Sequence, residues 1–383
     1  MKFIHLGDLH IGKSVNDFSM IEDQKYMLQQ IIALSTEQNI DALLLAGDIY
    51  DRSVPSEEAV KVFDQFLTEL ASMGKKVFVV SGNHDSDERL NYGSRLFEAK
   101  GVYIAGRYDG DVKCVDVVDQ HGPVHIWLMP YVKASRVSHF FPKAKIENYN
   151  DAFKVAIDHC NVNTEERNLM VTHQFVTGSH TESEPELDGS ETILLNVGTL
   201  DRISAEVFDD FDYVAMGHIH RSQAVGRETC RYSGSLLKYS LDQREINSIK
   251  SIPIITLEEK GKVTVELVTI APKREIRHIR GHLMELIENA VDTDDYIYAT
   301  LTDEETQFDA MARLREVYPH VMKMDYDNAE SRAFHDQEGD FETEGKSFHE
   351  LLGDFFNLYR GTEPNEKEWA LLEEVAREAG VLE

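Results

Sequence analysis

The chain has 383 residues, of which 42% are hydrophobic, and it carries a formal net charge of −30 at pH 7. Its length favours one large domain with a smaller second unit, and its apolar content argues against a disordered protein. Nucleic-acid-binding proteins usually present a basic face, so the overall charge lowers the expectation of such a role. The acidic residues are unevenly distributed along the chain, however, because residues 331–383 hold 14 Asp and Glu against 5 Lys and Arg.

Three scattered cysteines, Cys114, Cys160 and Cys230, show no CxxC spacing. This usage is typical of a reducing compartment and argues against a disulfide framework or a thiolate metal site. The segment after Met1 runs directly into an apolar stretch without room for a signal peptide, and no apolar run approaches membrane-spanning length. We therefore expect a soluble cytoplasmic protein.

Short, continuous apolar runs predict strands that are covered on both faces. These runs are Phe3–Leu6, Ala42–Ala46, Val77–Val80, His125–Met129, Leu169–Thr172 and Tyr213–Met216. Apolar residues at helical spacing predict one helix around 27–34 and a second that begins at the candidate N-cap Ser56 and ends before Gly74. Strand–helix–strand alternation implies right-handed parallel crossovers. The sequence therefore predicts an α/β domain of two stacked sheets flanked by helices over residues 1–271.

The pattern changes after residue 251. Ile252–Leu257 and Val263–Ile270 predict a hairpin. Between 272 and 330, strands that include Tyr296–Leu301 and Val321–Tyr326 alternate with helices and predict a small α/β domain. Residues 331–383 combine an acidic, turn-rich linker with two amphipathic helices, which must pack on the body of the protein or on a partner. Their apolar stripes are Phe348, Leu351, Leu352, Phe355 and Tyr359, then Trp369, Leu372, Val375, Ala376 and Ala379.

Five short motifs place metal-binding side chains just after predicted strands. The motifs are GDLH, AGDIYDR, SGNHD, VTHQ and MGHIH, and their candidate ligands are Asp8, His10, Asp48, Asn83, His173, His218 and His220. Taken singly, each has another explanation, such as a helix cap, a turn or a core histidine. Together they predict a metal site, because ligands commonly bind at the carboxyl ends of strands in α/β sheets. Carboxylate, imidazole and amide donors suit two first-row divalent metals, which can act together in displacement at phosphorus.

This series of motifs resembles the calcineurin-like metallophosphoesterase superfamily. Within it, the chain is similar to the SbcD family of nuclease subunits in bacterial SbcCD complexes. The superfamily motifs cover about the first 220 residues. The narrower likeness depends on MKFIHLGDLHIGK, AGDIYDRSVPS and the YSGSL segment at 232–236, and it extends to the small second domain, which would cap the site, and the terminal helices.

The resemblance implies a division of the ligands between two metals. One metal would be bound by Asp8, His10 and His220, the other by Asn83, His173 and His218, and Asp48 would bridge them. A solvent hydroxide would attack phosphorus in line. His84 would act as the catalytic residue that stabilises the phosphoryl group or protonates the leaving oxygen, with Asp85 orienting its imidazole. Manganese is the implied activator, with Mg²⁺ or Fe²⁺ as alternatives.

One departure from the family pattern falls beside this site. Archaeal and eukaryotic relatives carry a histidine three residues after the bridging aspartate, where this chain has Asp51 followed by Arg52. Arg52 could contact a phosphate or form a salt bridge with an acid such as Asp51.

A basic segment lies at the start of the second domain. It could be a DNA-backbone contact or an exposed strand edge protected by charge. It comprises Lys273, Arg274, Arg277, His278 and Arg280.

The resemblance implies a two-metal-dependent DNA nuclease in recombination, replication and repair. It would be a 3′-5′ exonuclease on double-stranded ends and an endonuclease on single strands and hairpins. The alternatives are a phosphomonoesterase or cyclic-nucleotide phosphodiesterase of the same superfamily and a scaffold without catalysis.

The family likeness also implies partners. The C-terminal helices would bind an SbcC-type coiled-coil ATPase at the nucleoid, and the catalytic domain would form a homodimer through helices near the site. Val60, Phe63 and Leu67 lie on one candidate helix, although their spacing equally describes a core face.

Overall fold

The computed structural model describes residues 1–178, 185–188 and 202–328, together with isolated positions between 349 and 375. The chain divides into two compact units, one comprising Met1–His278 with Asp294–Ile297, and the other comprising Ile279–Thr293 with Tyr298–Glu383. Among the described residues, no helix combines the length and apolar character needed to cross a membrane.

Strands supply most of the regular structure of the first unit. In chain order the strands of the described residues are β1 (Lys2–Leu6), β2 (Ser14–Val15), β3 (Phe18–Ser19), β4 (Ala42–Ala46), β5 (Lys76–Val80), β6 (Val102–Ala105), β7 (Lys113–Asp119), β8 (Gly122–Met129), β9 (Arg167–His173), β10 (Val176–Thr177), β11 (Ile203–Ser204), β12 (Tyr213–Gly217), β13 (Gln223–Val225), β14 (Arg227–Tyr232), β15 (Ser251–Leu257), β16 (Val263–Thr269), β17 (Ile276–Gly281), β18 (Tyr296–Leu301) and β19 (Val321–Tyr326).

Helices alternate with the strands. Over the same residues they are α1 (Ile21–Glu37), α2 (Glu57–Ser72), α3 (Asp87–Asn91), α4 (Ser94–Glu98), α5 (Ala134–Phe140), α6 (Tyr149–Cys160), α7 (Gln243–Ile246), α8 (Leu283–Glu288) and α9 (Ala310–Arg315), with a 3₁₀ helix at Ala205–Phe208. The predicted cap of α2 is confirmed, because the Ser56 side chain accepts a hydrogen bond from the amide of Ala59.

Two six-stranded sheets form the centre of the first unit, in the orders β16-β15-β1-β4-β5-β6 and β13-β14-β12-β9-β8-β7. Strands β1, β4, β5 and β6 are parallel, as are β8, β9, β12 and β14. Parallel strands joined by crossovers direct all their carboxyl ends to the same edge of a sheet. Side chains that follow these strands are thereby collected at one edge.

The space between the sheets is filled by apolar side chains from both. Phe3, Leu44 and Phe78 of the first sheet pack in one cluster with Ile126 and Val171 of the second. A second cluster packs α6 against the outer face of the second sheet. Every residue of β4 and of β12 is buried, as the continuous apolar runs predicted. The predicted two-sheet α/β sandwich is confirmed.

Strands β17, β18 and β19 form a three-stranded sheet in that order. The predicted strands at 296–301 and 321–326 have the observed bounds. The predicted terminal helices fall only partly on described residues, of which Leu351, Leu352, Trp369, Leu372 and Val375 are helical. The remaining stripe positions, Phe348, Phe355, Tyr359, Ala376 and Ala379, lie outside the described residues.

Arg167 joins the two sheets at the amino end of β9. Its guanidinium, on a residue that is 3% exposed, donates to both carboxylate oxygens of Asp119 at 2.6 and 3.1 Å. It also donates to the carbonyl oxygens of Gly122, Pro123 and Glu258, the last in the loop between β15 and β16 of the other sheet. Partial burial acts to raise the pKa of Asp119. The hydrogen bonds from Arg167 outweigh this and hold that pKa well below its usual range.

We expect Arg167→Ala to lower the free energy of unfolding by about 2–3 kcal/mol, because three carbonyl oxygens lose their donor while Asp119 keeps its hydrogen bond from the amino terminus. Urea denaturation at neutral pH measures the loss. Because the pKa of Asp119 is depressed in the folded state, the stabilisation is fully present above about pH 4 and is lost as the pH falls further.

The matched control is Arg244→Ala. Arg244 forms an exposed ion pair with Asp242, so its loss should cost at most about 1 kcal/mol. Equal losses for the two variants would contradict the structural role assigned to Arg167.

Candidate metal centre

The carboxyl ends of five parallel strands converge on one group of polar side chains, all in the first unit. Strands β1, β4 and β5 come from the first sheet, and β9 and β12 come from the second. The group contains every candidate ligand predicted from the sequence: Asp8, His10, Asp48, Asn83, His173, His218 and His220.

Three of these side chains form one half of the site. Asp8, His10 and His220 each present a ligand atom within 4.8 Å of the others, and all three residues are buried. The Nε2 atoms of His10 and His220 lie 3.1 Å apart, so two imidazole nitrogens are directed at one position. His10 Nδ1 has no hydrogen-bond partner among the described residues.

Asn83 forms the centre of the other half. Its Oδ1 lies 3.0 Å from His173 Nε2 and 3.0 Å from His218 Nδ1. His173 Nδ1 donates a hydrogen bond of 2.8 Å to the carbonyl oxygen of Ala46. A proton held on Nδ1 leaves the Nε2 lone pair directed into the site, which is the tautomer that a metal requires.

Asp48 lies between the two halves. Its Oδ2 is 3.6 Å from His10 Nε2 and 3.5 Å from His173 Nε2. Its Oδ1 accepts a hydrogen bond of 2.9 Å from the backbone amide of His84. One carboxylate therefore faces imidazoles from both halves, which is the geometry that a bridging ligand needs.

Burial makes the charges of this cluster interdependent. Burial and the nearby charge of Asp48 raise the pKa of Asp8 to about 8. Burial opposes ionisation of Asp48 as well, yet His173 holds the pKa of that carboxyl well below its usual range. Asp48 in turn raises the pKa of His173 to about 9 against the effect of burial. The two carboxylates can thus be charged together only with added positive charge, from protons or from cations.

The residues present fit a pair of divalent metals. The donors are carboxylate, imidazole and amide oxygen, they converge from two sheets, and the Nε2 atoms of His10 and His220 are directed at one position. Side chains of this kind match first-row divalent ions.

The backbone at the ligands is unusual. Asp8, His10, Asp48 and His218 have φ values of 54°, 44°, 49° and 104°, in the left-handed region that side chains other than glycine seldom adopt. Backbone strain of this kind tends to occur at functional sites.

A glycine precedes the ligand in four of the motifs, and two of these glycines allow close contact between chain segments. A Cβ on Gly82 would lie 2.1 Å from Asp48 Oδ1, and a Cβ on Gly217 would lie 1.9 Å from the carbonyl oxygen of Ala46. A glycine directly before a candidate ligand is therefore a sequence pattern that indicates close packing of chain segments at the site.

His84 is half-buried at the edge of this group. Its Nδ1 donates to the carbonyl oxygen of Asp51 at 2.9 Å, and its ring lies edge-on to that of His10, 4.8 Å between centroids. The expectation that Asp85 orients this imidazole is wrong. The Asp85 carboxylate instead accepts hydrogen bonds from three backbone amides, those of Ile49, Tyr50 and Gly82, so it joins the loops that carry Asp48 and Asn83.

Two supporting side chains were not found from the sequence. Gln24 on α1 donates to the carbonyl oxygen of His10 at 2.7 Å and accepts from the amide of Gly12 at 2.9 Å. Lys250 donates to the carbonyl oxygen of His220 at 3.0 Å and to Glu245 at 3.1 Å. The only sequence signal for Gln24 was its polar side chain within the apolar stripe of a predicted helix. No sequence pattern indicated Lys250, because its partners are distant in sequence.

The cationic residues near the site and in the basic segment have acidic partners. Arg52 lies 3.5 Å from Asp51, which is the salt bridge considered from the sequence, and its side chain is 82% exposed. In the basic segment, each arginine forms an ion pair with aspartate, while Lys273 is exposed. The pairs are Arg274 with Asp23 and Asp294, Arg277 with Asp295, and Arg280 with Asp327.

Residues 1–222 match the model of the calcineurin-like phosphoesterase family. That match covers more than half of the chain, and the chain belongs to this family. Residues 272–359 match a second model, described as the type 5 capsule protein repressor C-terminal domain. Among curated proteins, the chain is similar to the SbcD subunit of nuclease SbcCD from Staphylococcus epidermidis, with 29% identity over 330 residues and 85% coverage of each chain.

Two solved structures are also similar. They are TT1561 of Thermus thermophilus, at 11% identity, and a dimetal phosphatase from Danio rerio, at 14% identity. They cover 70% and 71% of this chain and 98% and 99% of their own, with TM-scores of 0.39 and 0.40. At these scores we base no argument on them.

We expect Gly82→Ala to weaken divalent-metal binding by about 10–100-fold, the range observed when a ligand loses its supporting contacts. The added methyl group would occupy the position of the Asp48 carboxylate and displace it. Titration calorimetry with Mn²⁺ measures the affinity.

Gly74→Ala is the control. Gly74 also has a constrained backbone, with φ of 73°, but nothing lies within 4 Å of its Cβ position. The Gly74→Ala protein should lose about 1 kcal/mol of stability and keep its affinity for the metal. Unchanged Mn²⁺ affinity in the Gly82 variant would contradict the packing argument.

Proposed function

We propose that this chain is a two-metal-dependent DNA nuclease, with exonuclease action on double-stranded ends and endonuclease action on single strands and hairpins. The observation that carries the proposal is the convergence of six donor side chains around a seventh, Asp48, in a calcineurin-like phosphoesterase. The relative from Staphylococcus epidermidis, which is named a nuclease subunit, supports DNA as the substrate.

We assign one metal to Asp8, His10 and His220, and the other to Asn83, His173 and His218, with Asp48 shared. When bound, two such metals supply a lowered pKa for a shared water and stabilisation of the charge that develops at phosphorus. The donor set is rich in imidazole, and Mg²⁺ prefers oxygen ligands and water. We therefore propose Mn²⁺ as the activating ion, in preference to Mg²⁺.

His84 has the catalytic role in this proposal. The carbonyl oxygen of Asp51 accepts the proton on Nδ1. Donation from Nε2 to a phosphoryl oxygen, or transfer of a proton from Nε2 to the leaving oxygen, therefore requires the doubly protonated imidazolium form of His84. General acid catalysis of this kind contributes about 10²–10⁴-fold to a rate.

The test measures cleavage of blunt duplexes, single strands and hairpins by the purified protein, with and without its ATPase partner. We expect cleavage with Mn²⁺, and a lower rate with Mg²⁺. His84→Gln should keep its Mn²⁺ content by metal analysis and lose about 10²–10⁴-fold in kcat, whereas Asp48→Asn should lose metal and activity together.

His159→Gln is the control, since His159 lies on α6 with a side chain that is 54% exposed, and it should cleave as the unmodified chain does. Rapid turnover of small phosphate esters without cleavage of any DNA would contradict the nuclease assignment and support the phosphatase alternative. Unchanged cellular function of the His84 variant would support a scaffold.

We further propose a homodimer, but through a different surface from the predicted stripe. Phe63 is only 4% exposed and belongs to the core, so it is not available to a second copy. Tyr92, just after α3, and Leu96, on α4, both follow the Asn83 loop and are 85% and 78% exposed. A cavity of about 340 Å³ beside them is lined by residues that include Leu67 and Phe97. Exposed apolar side chains of this density mark an interaction surface.

Leu96→Glu should convert the dimer to a monomer, because a buried carboxylate without a partner opposes association. Light scattering on a size-exclusion column measures the mass. Leu267→Glu, on β16 and 48% exposed, should remain dimeric. An unmodified chain that is monomeric at working concentration would contradict the proposal.

The terminal segment is the proposed binding site for an SbcC-type coiled-coil ATPase. His349 stacks on Trp369 with 4.0 Å between ring centroids, so the two terminal helices contact each other. Leu371 and Val375 remain 61% and 56% exposed. Apolar helix positions left uncovered in this way suit docking on a coiled coil. The partner would also supply positively charged DNA-binding surface, since this chain has a net charge of −30.

Replacing both Leu371 and Val375 with Asp should weaken ATPase binding by at least about 10-fold, since two apolar contacts would be lost at the interface. Calorimetric titration with the ATPase coiled-coil base measures the affinity. Phe308→Asp, at a side chain that is 91% exposed, should bind normally. Equal affinity for all three proteins would exclude these helices as the docking site.

We propose the cytoplasm, at the nucleoid, as the site of action. All three cysteines are free, which suits a reducing compartment. Recovery of the protein mainly from a membrane or periplasmic fraction would contradict this placement.

A further inference from the structure

A second cluster of possible metal ligands lies on the outer face of the second sheet. Cys114 and Asp116 are two residues apart on β7, so their side chains lie on the same face. The register pairs Asp116 with His125 on β8, and Glu166 immediately precedes β9. The candidate metal centre is at the other end of β9, after His173, a distance of roughly 20 Å along the strand.

The distances within this cluster suit a small cation. Cys114, Asp116 and His125 each offer one ligand atom within 4.8 Å of the others. Cys114 Sγ lies 3.6 Å from Asp116 Oδ1, and His125 Nδ1 lies 2.7 Å from the same oxygen. Ligand atoms of a tetrahedral zinc site are about 3.3–3.6 Å apart. The sulfur already satisfies this, and the exposed Asp116 side chain needs to move by less than about 1 Å.

Glu166 gives His125 the orientation of a metal ligand. Its carboxylate lies 3.0 Å from His125 Nε2, and a proton held there leaves the Nδ1 lone pair directed at the Asp116 carboxylate and the Cys114 thiol. Two electron-rich groups 2.7 Å apart require a cation or a proton between them. A carboxylate–histidine–metal arrangement is the usual environment of a metal-binding imidazole.

We propose that Cys114, Asp116 and His125 form a zinc site, with Glu166 holding the His125 tautomer and water completing the tetrahedron. The thiolate makes this site chemically distinct from the candidate metal centre, whose donors are nitrogen and oxygen, and it selects Zn²⁺ over Mn²⁺. Because β7 is the edge strand of its sheet, the bound ion would connect this edge to β8. The missing CxxC spacing argued against a thiolate site, but the hairpin register brings the three ligands together.

The alternative is an imidazolium between two carboxylates with no metal, and cobalt spectroscopy distinguishes the two. Metal-free, full-length protein in a non-thiol reductant is titrated with Co²⁺. A thiolate ligand produces a near-ultraviolet charge-transfer band that nitrogen and oxygen donors cannot produce. We expect the band to saturate within three equivalents per chain, because the candidate metal centre can take up two, and to disappear when Zn²⁺ is added.

Three variants test which residues bind the cobalt ion that produces the charge-transfer band. Cys114→Ser should abolish it, and Cys160→Ser, at a half-buried thiol that donates to the Ala156 carbonyl oxygen, should retain it. Glu166→Gln should keep the band but weaken Co²⁺ binding by about 10–100-fold. Zn²⁺ should raise the melting temperature of the unmodified chain more than that of the Cys114 variant.

Absence of the band in the unmodified chain, or its persistence in Cys114→Ser, would overturn the proposal. Neither outcome would bear on the proposed nuclease activity, because that activity depends on different residues.

Discussion

The hydrogen bond from His173 Nδ1 to the carbonyl oxygen of Ala46, 2.8 Å long and buried, connects the two central sheets at their carboxyl ends. The rest of the site depends on it. It sets the His173 tautomer, and it brings β9 close enough to β4 for Asp48 to face both halves of the ligand group. Gly47 and Gly217 make this approach possible, since a Cβ on either would lie within 3 Å of the atoms that form the bond.

Charge compensation is the second constraint on this molecule. The chain carries a net charge of −30, and its cations are mostly committed to acids. The arginines of the basic segment pair with aspartates, and Lys250 and Arg167 are buried in hydrogen-bonded networks. Positive charge at the candidate metal centre must therefore come from protons or from bound cations. Most of the positive charge for a DNA backbone would have to come from a partner, which fits a nuclease subunit that acts in a complex.

The elements that sequence patterns predicted well are those buried on both faces. Strand β4, in which every residue is buried, has the predicted bounds, because a continuous apolar run admits few other structures. Strand β7 was not predicted. It lies at a sheet edge with polar residues on its outer face, so its pattern resembles a loop. The seven ligands were predicted as a set because each follows a strand, and parallel strands bring their carboxyl ends together.

The sequence by itself determined the fold class, the set of candidate ligand residues and the family, because these depend on local patterns and short motifs. Tertiary structure alone decided which side chains support them. Asp85 connects two loops instead of orienting His84, because its carboxylate accepts hydrogen bonds from three backbone amides. Phe63 faces the core, although its helical spacing allowed either side. Cys114, Asp116 and His125 meet only through the β7–β8 register. In each case the deciding factor is a contact between segments that sequence spacing does not encode.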